Sequence, residues 1–161
     1  MSAEERIERA VEALVARLDG VPTAALYREP SAGEWPVMST LAHVVELLPY
    51  WASQCQTIAR SPGVAFGRTL DDPGRLGAIA AHARDPAEVV RGSLRSSCAE
   101  AISIVRTIPA AQWQLTGQHV RRGAMSIEQV VDEFMVAHVE DHVQQVDAAL
   151  AALGYSPSQV P

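Results

Sequence analysis

Ser126-Ile127-Glu128-Gln129-Val130-Val131-Asp132-Glu133-Phe134-Met135-Val136-Ala137-His138-Val139-Glu140-Asp141-His142 opens with a capping box and continues in helical period. Val130, Phe134, His138, His142, Ala149 and Leu153 recur along one side, and Gly154 is a natural residue to end the run. At 1.5 Å per residue such a helix extends about 40 Å, the length of a small domain. A stripe that long needs partners of comparable length to cover it.

Three other segments supply them. Ile7, Val11, Leu14 and Leu18 recur at spacings of four, three and four before Gly20 and Pro22 stop the pattern. Leu41, Val44, Val45, Leu48, Trp51, Cys55 and Ile58 form a second stripe ahead of Ser61-Pro62-Gly63. Pro49 falls inside it, and because the pattern continues past the proline the sequence predicts a kinked helix rather than two. Asp85-Pro86-Ala87-Glu88 reads as an N-cap, a proline at the first helical position and a capping-box glutamate. Val90, Leu94, Cys98, Ile102, Val105 and Ile108 follow as the third stripe, ended by Pro109.

Between residues 62 and 84 Gly and Pro are dense, and only residues 76–83, after Asp72-Pro73, read as a short helix. No segment sustains period-two alternation, so no sheet is expected. The fold class is all-α: a four-helix bundle forming a single domain over residues 1–154. It carries an irregular crossover or lid around residues 62–84 and a loose C-terminal tail over residues 155–161.

Composition narrows the function. The chain has 161 residues and 13 basic side chains, all of them Arg, against 19 acidic ones, for a net charge of −6. That balance argues against nucleic acid as a partner. No run approaches 18 apolar residues, so no membrane span is expected. The acidic start, Met1-Ser2-Ala3-Glu4-Glu5-Arg6, is unlike a signal peptide, and a cytoplasmic location is expected. Cys55 and Cys98 fit neither a disulfide framework nor a CxxC site and read as small core fillers.

The informative feature is histidine placement. His138 and His142 stand four apart, so their rings share one face and could bind one metal ion. Val131 and Phe134 before them and Ala149 after them place both rings toward the core. Buried neutral imidazoles need partners for their ring nitrogens. One such histidine is ordinarily a satisfied core residue; two on one turn are harder to explain without a ligand. His43, beside Val44-Val45 on the second helix, would complete a three-histidine site if the second and fourth helices face each other. Three histidines with open coordination positions suit Zn²⁺ or another borderline divalent ion. Glu140, two residues from His138, lies about 200° around the helix, so this is no HExxH motif. No histidine has Glu three residues before it, which excludes a di-iron bundle, and GxSxG, P-loop and GxGxxG patterns are absent.

Trp35 stands eight positions before His43 in Glu34-Trp35-Pro36-Val37-Met38-Ser39-Thr40-Leu41-Ala42-His43. With the late Ser126 helix start and His138-x-x-x-His142, this order resembles the DinB/YfiT-like metalloenzyme family. The resemblance covers nearly the whole chain. It implies an up-down-down-up bundle, a zinc or nickel ion on His43, His138 and His142, and a homodimer. It also implies chemistry on a small-molecule substrate, with the metal activating water or a low-molecular-weight thiol, as in mycothiol-dependent maleylpyruvate isomerase and bacillithiol transferase. The family often reads His-Arg-Gly-Gln where this chain has His142-Val143-Gln144-Gln145, a departure that bears on local packing.

Other residues carry two readings each. Glu46, three after His43, could orient that ligand or act as a base, or be a carboxylate at the bundle edge. Asp141, three after His138, shares that ambiguity. Trp35 reads as a packing anchor at the helix entry or as a substrate stacker, and Tyr50 and Trp51 as core packing or a pocket mouth. Arg121 and Arg122 read as a solvated loop or as receivers of an anion. His82 and His119 are assigned no role. Against the enzyme stand a non-catalytic bundle clipped by metal, serving a dimerising or stress-related interaction, and a bundle carrying an apolar ligand with no metal.

Overall fold

The computed structural model describes residues 1–155. Helix α1 (Ala3–Ala16) is held at its start by a reciprocal cap between Ser2 and Glu5 and buries Ile7, Val11 and Leu14. After a single turn, α2 (Thr23–Leu26), the chain enters α3 (Val37–Arg60), which runs unbroken past Pro49. The crossover holds a two-residue strand, β1 (Ala65–Phe66), and α4 (Pro73–His82). The Asp72 carboxylate accepts the Arg75 backbone N–H at 2.8 Å, so α4 starts at the proline rather than at Leu76. Helix α5 (Ala87–Arg106) leads through a 3-10 turn (Ala110–Gln112) to β2 (Thr116–His119) and β3 (Gly123–Ser126). The last helix comprises α6 (Ile127–Val130), a π-helical stretch (Val131–Ala137) and α7 (His138–Ala152).

Helices α1 and α3 each pack against α5 and α7, so the bundle alternates the two pairs around one core. Leu14, Leu41, Leu47, Leu48, Leu94, Ile127, Met135 and Leu150 are fully enclosed there. Each large aliphatic side chain removed from water contributes about 1.5–3 kcal/mol. Cys55 and Cys98 are buried in the same core, and burial pushes their thiols up to about 12 and about 11. They are core fillers, as expected. Paired arginines fix the register of α1: Arg6 on Glu140 and Arg17 on Asp147 toward α7, Arg95 on Glu12 and Arg106 on Glu4 toward α5. Such surface pairs add little stability individually.

Three expectations are corrected. A sheet exists: β1 pairs parallel with β2 (Phe66 opposite His119), and β2 pairs antiparallel with β3 (His119 opposite Gly123). Its strands are too short to show alternation, and Gly117 sits where a Cβ would lie 2.8 Å from Phe66 and 2.9 Å from Ile58. The capping box at Asp85 does not form; Pro86 occupies the N-cap without a side-chain bond, while the Asp85 carboxylate is engaged by His82 Nδ1 at 2.8 Å. Tyr155 is not loose. Its N–H donates to the Leu150 carbonyl at 2.9 Å and its ring packs on the core; residues 156–161 of the expected tail lie outside the described residues.

The Ser126 box does form, with Ser126 Oγ accepting from the Gln129 backbone and Gln129 reaching back to Ser126 N–H. Beyond it the helix carries two stripes. Val131, Met135, Val139, Val146 and Leu150 face the core, whereas Phe134, His138, His142 and Ala149 line a cavity. The histidines therefore sit beside the core stripe, not on it.

Candidate metal centre

His43 lies in the second turn of α3, 4% exposed, with its Nδ1 2.8 Å from Glu46 Oε1. Arg68 Nη2 donates to the other Glu46 oxygen at 2.5 Å. Burial raises the Glu46 pKa, but the bonds from His43 and Arg68 outweigh it, and the net direction is downward. An ionised carboxylate on Nδ1 keeps the proton there and leaves the Nε2 lone pair of His43 free. Across the cavity, His142 Nδ1 is 2.8 Å from Gln145 Oε1, which fixes the same tautomer. The His142 Nε2 atom is buried and has no hydrogen-bond partner among the described residues.

His138 completes the group from one turn earlier. Ring centroids are 5.4 Å apart for His43 and His138, 5.1 Å for His43 and His142, and 4.7 Å for His138 and His142. One nitrogen from each ring lies within 4.8 Å of the others. Donors on a tetrahedral ion with bonds near 2.1 Å stand about 3.4 Å apart, a difference that small side-chain rotations cover. Burial above all, then the neighbouring imidazoles, holds His138 at about 4. Burial likewise brings His142 to about 4 against the opposing bond from Gln145. At neutral pH both rings are in the uncharged form that binds metals. A buried nitrogen without a partner, two tautomers set by outer bonds and three close donors fit a divalent cation.

The other candidates separate clearly. Glu46 touches His43 and is committed to it and to Arg68. Asp141 is exposed and stands outside the histidine group; Glu140 points away, as expected, onto Arg6. Trp35, at the entry to α3, is half-buried; its ring meets the His43 ring edge-on at 5.8 Å and also lines the cavity. Trp51 serves both core and cavity, stacked on Phe134 at 4.3 Å, while Tyr50 lies under the Arg68 guanidinium at 3.7 Å.

The cavity measures about 920 Å³, with the three imidazoles in its wall. His119, assigned no role from sequence, is part of that wall, 8% exposed. Its Nδ1 accepts the backbone N–H groups of Arg121 and Arg122 at 3.2 Å each, so its proton sits on Nε2. Burial first, then the charges of Arg122 and Arg121, lowers its pKa. At Gly67, φ is +86° and an added Cβ would lie 2.5 Å from the His119 ring, so only glycine passes there. Arg68, Arg75 and Gln145 were also missed. Gln145 had a signal, since it keeps the glutamine three residues after the histidine in the resembled His-Arg-Gly-Gln.

A helical bundle with three convergent histidines on its second and last long helices is the arrangement that the sequence order had suggested. The chain belongs to the DinB superfamily, whose family profile matches residues 6–146. Among solved structures it is similar to YfiT from Bacillus subtilis, described as "a probable metal-dependent hydrolase with an unusual four-helix bundle topology". The TM-score is 0.78 at 13% identity, over 96% of this chain and 87% of that one. Mycothiol-dependent maleylpyruvate isomerase gives 0.66 at 14% identity; all of this chain is covered, but it spans only 65% of the isomerase. TT2238, described as a four-helix bundle protein, gives 0.53 at 20% identity, over 91% of this chain and 96% of that one. No curated protein sequence matches the chain. Among the described residues no helix is long and apolar enough to cross a membrane.

Proposed function

We propose that this protein is a metal-dependent enzyme acting on a small molecule, with His43, His138 and His142 as the ligands of one divalent ion, zinc or nickel. The observation that carries this reading is the buried Nε2 of His142, without a hydrogen-bond partner among the described residues, beside two further imidazoles at the wall of a large cavity. When bound, the ion supplies Lewis acidity that lowers the pKa of a water or low-molecular-weight thiol reaching it. The protein residues do the rest. Glu46 and Gln145 hold two imidazoles in one tautomer and orientation. Arg68 keeps Glu46 ionised, and Trp35, Trp51 and Phe134 restrict water around the substrate.

A metal serving only as a structural clip would call for a fourth protein ligand. Asp141 is exposed and outside the group, and Glu46 is bonded to His43 and Arg68, which favours an open coordination position facing the cavity. The description of YfiT as a probable metal-dependent hydrolase supports the metal reading, and the mycothiol dependence of the isomerase supports a thiol cosubstrate. Protein purified without an affinity tag should contain about one divalent ion per chain by elemental analysis, and His138→Ala should lose it. Full occupancy in that variant refutes the proposal.

A further inference from the structure

The charge of the cavity wall is opposite to that of the chain. Among the described residues four arginines, Arg68, Arg75, Arg121 and Arg122, line it against a single carboxylate, Glu34, in a protein of net charge −6. Two of the four are neutralised: Arg68 by Glu46 and Arg122 by Glu133. Arg75 and Arg121 have no carboxylate at ion-pair distance among the described residues. Arg75 comes from α4, half-buried, with its guanidinium 5.7 Å from the Trp35 ring that abuts His43. It spends one N–H on the Leu70 carbonyl at 2.8 Å. Arg121 comes from the β2–β3 turn, whose backbone is tied to His119.

Leaving a half-buried guanidinium short of an anion is unfavourable unless the anion arrives with a ligand. The same cavity wall carries the stacked Trp51–Phe134 pair and the flat face of His119, 5.1 Å from Phe134. A flat apolar body packs well on such a ledge.

We propose that the substrate is a small unsaturated or aromatic organic oxyanion, its charged group held by Arg75 and Arg121 and its flat body on the Trp51–Phe134 ledge, so that its reacting end meets the three imidazoles. This names the substrate class of the site proposed above and, for the word substrate, rests on that reading. The anion site itself does not.

The test is calorimetric titration of the metal-loaded protein with benzoate, phenyl phosphate and benzamide, the last being the uncharged counterpart of benzoate. At least one anion should bind about tenfold more tightly than benzamide, and the two anions together tell carboxylate from phosphate. Arg75→Gln and Arg121→Gln should each weaken that anion about fivefold, as expected for partly exposed charge pairs, with benzamide unaffected. Arg75→Lys should recover part of the loss. Circular dichroism and metal content of each arginine variant should match the parent. The inference is overturned if neither anion outbinds benzamide, or if both arginine variants bind the anions as the parent does. Retention of the arginine-dependent preference in His138→Ala supports it even if that variant shows the metal reading to be wrong. Loss of the preference with the metal alone, while the arginine variants keep it, overturns it and leaves the metal reading intact.

Discussion

The last helix presents two neighbouring stripes that differ in partners and in burial. Val131, Met135, Val139, Val146 and Leu150 are at most 1% exposed and belong to the hydrophobic core of the bundle. Phe134, His138, His142 and Ala149, one position over, face a cavity. The first stripe is complete in itself, because any apolar partner of suitable size would satisfy it. The second makes sense only through groups brought from elsewhere: His43 from α3, Arg68 and Arg75 from the crossover, His119 from the hairpin. A π-helical stretch, a feature frequent at functional sites, precedes the histidines and suits the spacing of four between Val131, Met135 and Val139. Stability should therefore reside in one stripe and ligand binding in the other.

The strongest way to break this comparison is a matched pair of truncations. Leu150→Ala should cost about 2–5 kcal/mol by chemical denaturation of the metal-free protein, because it opens a cavity in a fully packed site. Metal content per folded molecule should stay unchanged. His142→Ala should change metal-free stability by less than about 1 kcal/mol, since it also removes a buried nitrogen with no partner, and should abolish metal retention. Equal losses of stability would show that the two stripes are not functionally distinct.

Acidity provides a second separation. His138 and His142 are held at about 4 in the folded chain against an ordinary 6.5. Above 6.5 neither the folded nor the unfolded state binds protons there, and stability is at its full value. Below 6.5 the unfolded chain takes up protons that the fold refuses, so stability falls until about 4 and then levels. The slope is bounded by about 1.4 kcal/mol per pH unit for each imidazole, less where the cavity admits water. Glu46, whose pKa is lowered, adds to the loss only below its ordinary 4.5. Stability of the metal-free protein measured from pH 8 to 4 should show this decline, and a His138→Ala, His142→Ala double variant should flatten it between 6.5 and 4.

How far the sequence could be read follows from the same contrast. The long helices were legible because 3.6-residue periodicity and the Ser126 cap are local signals, and so was the histidine pair on one turn. Asp85 failed as a cap because His82, three residues upstream, took its carboxylate, a competition that spacing alone does not reveal. The sheet was hidden because its strands span two to four residues and depend on Gly117 to come close to Ile58 and Phe66. His119 and Arg75 were opaque for a deeper reason. Their roles come from a cavity assembled out of segments spread from Pro30 to Ala149, and no local periodicity around either one records it.

The smallest and most specific expectation concerns Gln145 and Asp141, two polar residues beside the histidines on α7. Both lie at helical spacing from a histidine, and the sequence reading weighed only Asp141. In the fold the Gln145 amide oxygen accepts the hydrogen bond from His142 Nδ1–H, whereas Asp141 lies exposed outside the histidine group. Outer partners of metal-binding histidines typically govern affinity by about 10–100-fold, and exposed charges nearby do far less. Gln145→Ala should weaken zinc binding about tenfold in competition with a chelator of known affinity, and Gln145→Glu should restore it, because a carboxylate accepts the same proton. Asp141→Asn should shift it less than about twofold. If Asp141→Asn proves the more damaging, the tautomer assigned to His142 is wrong, and the direction in which its second nitrogen faces must be reassigned with it.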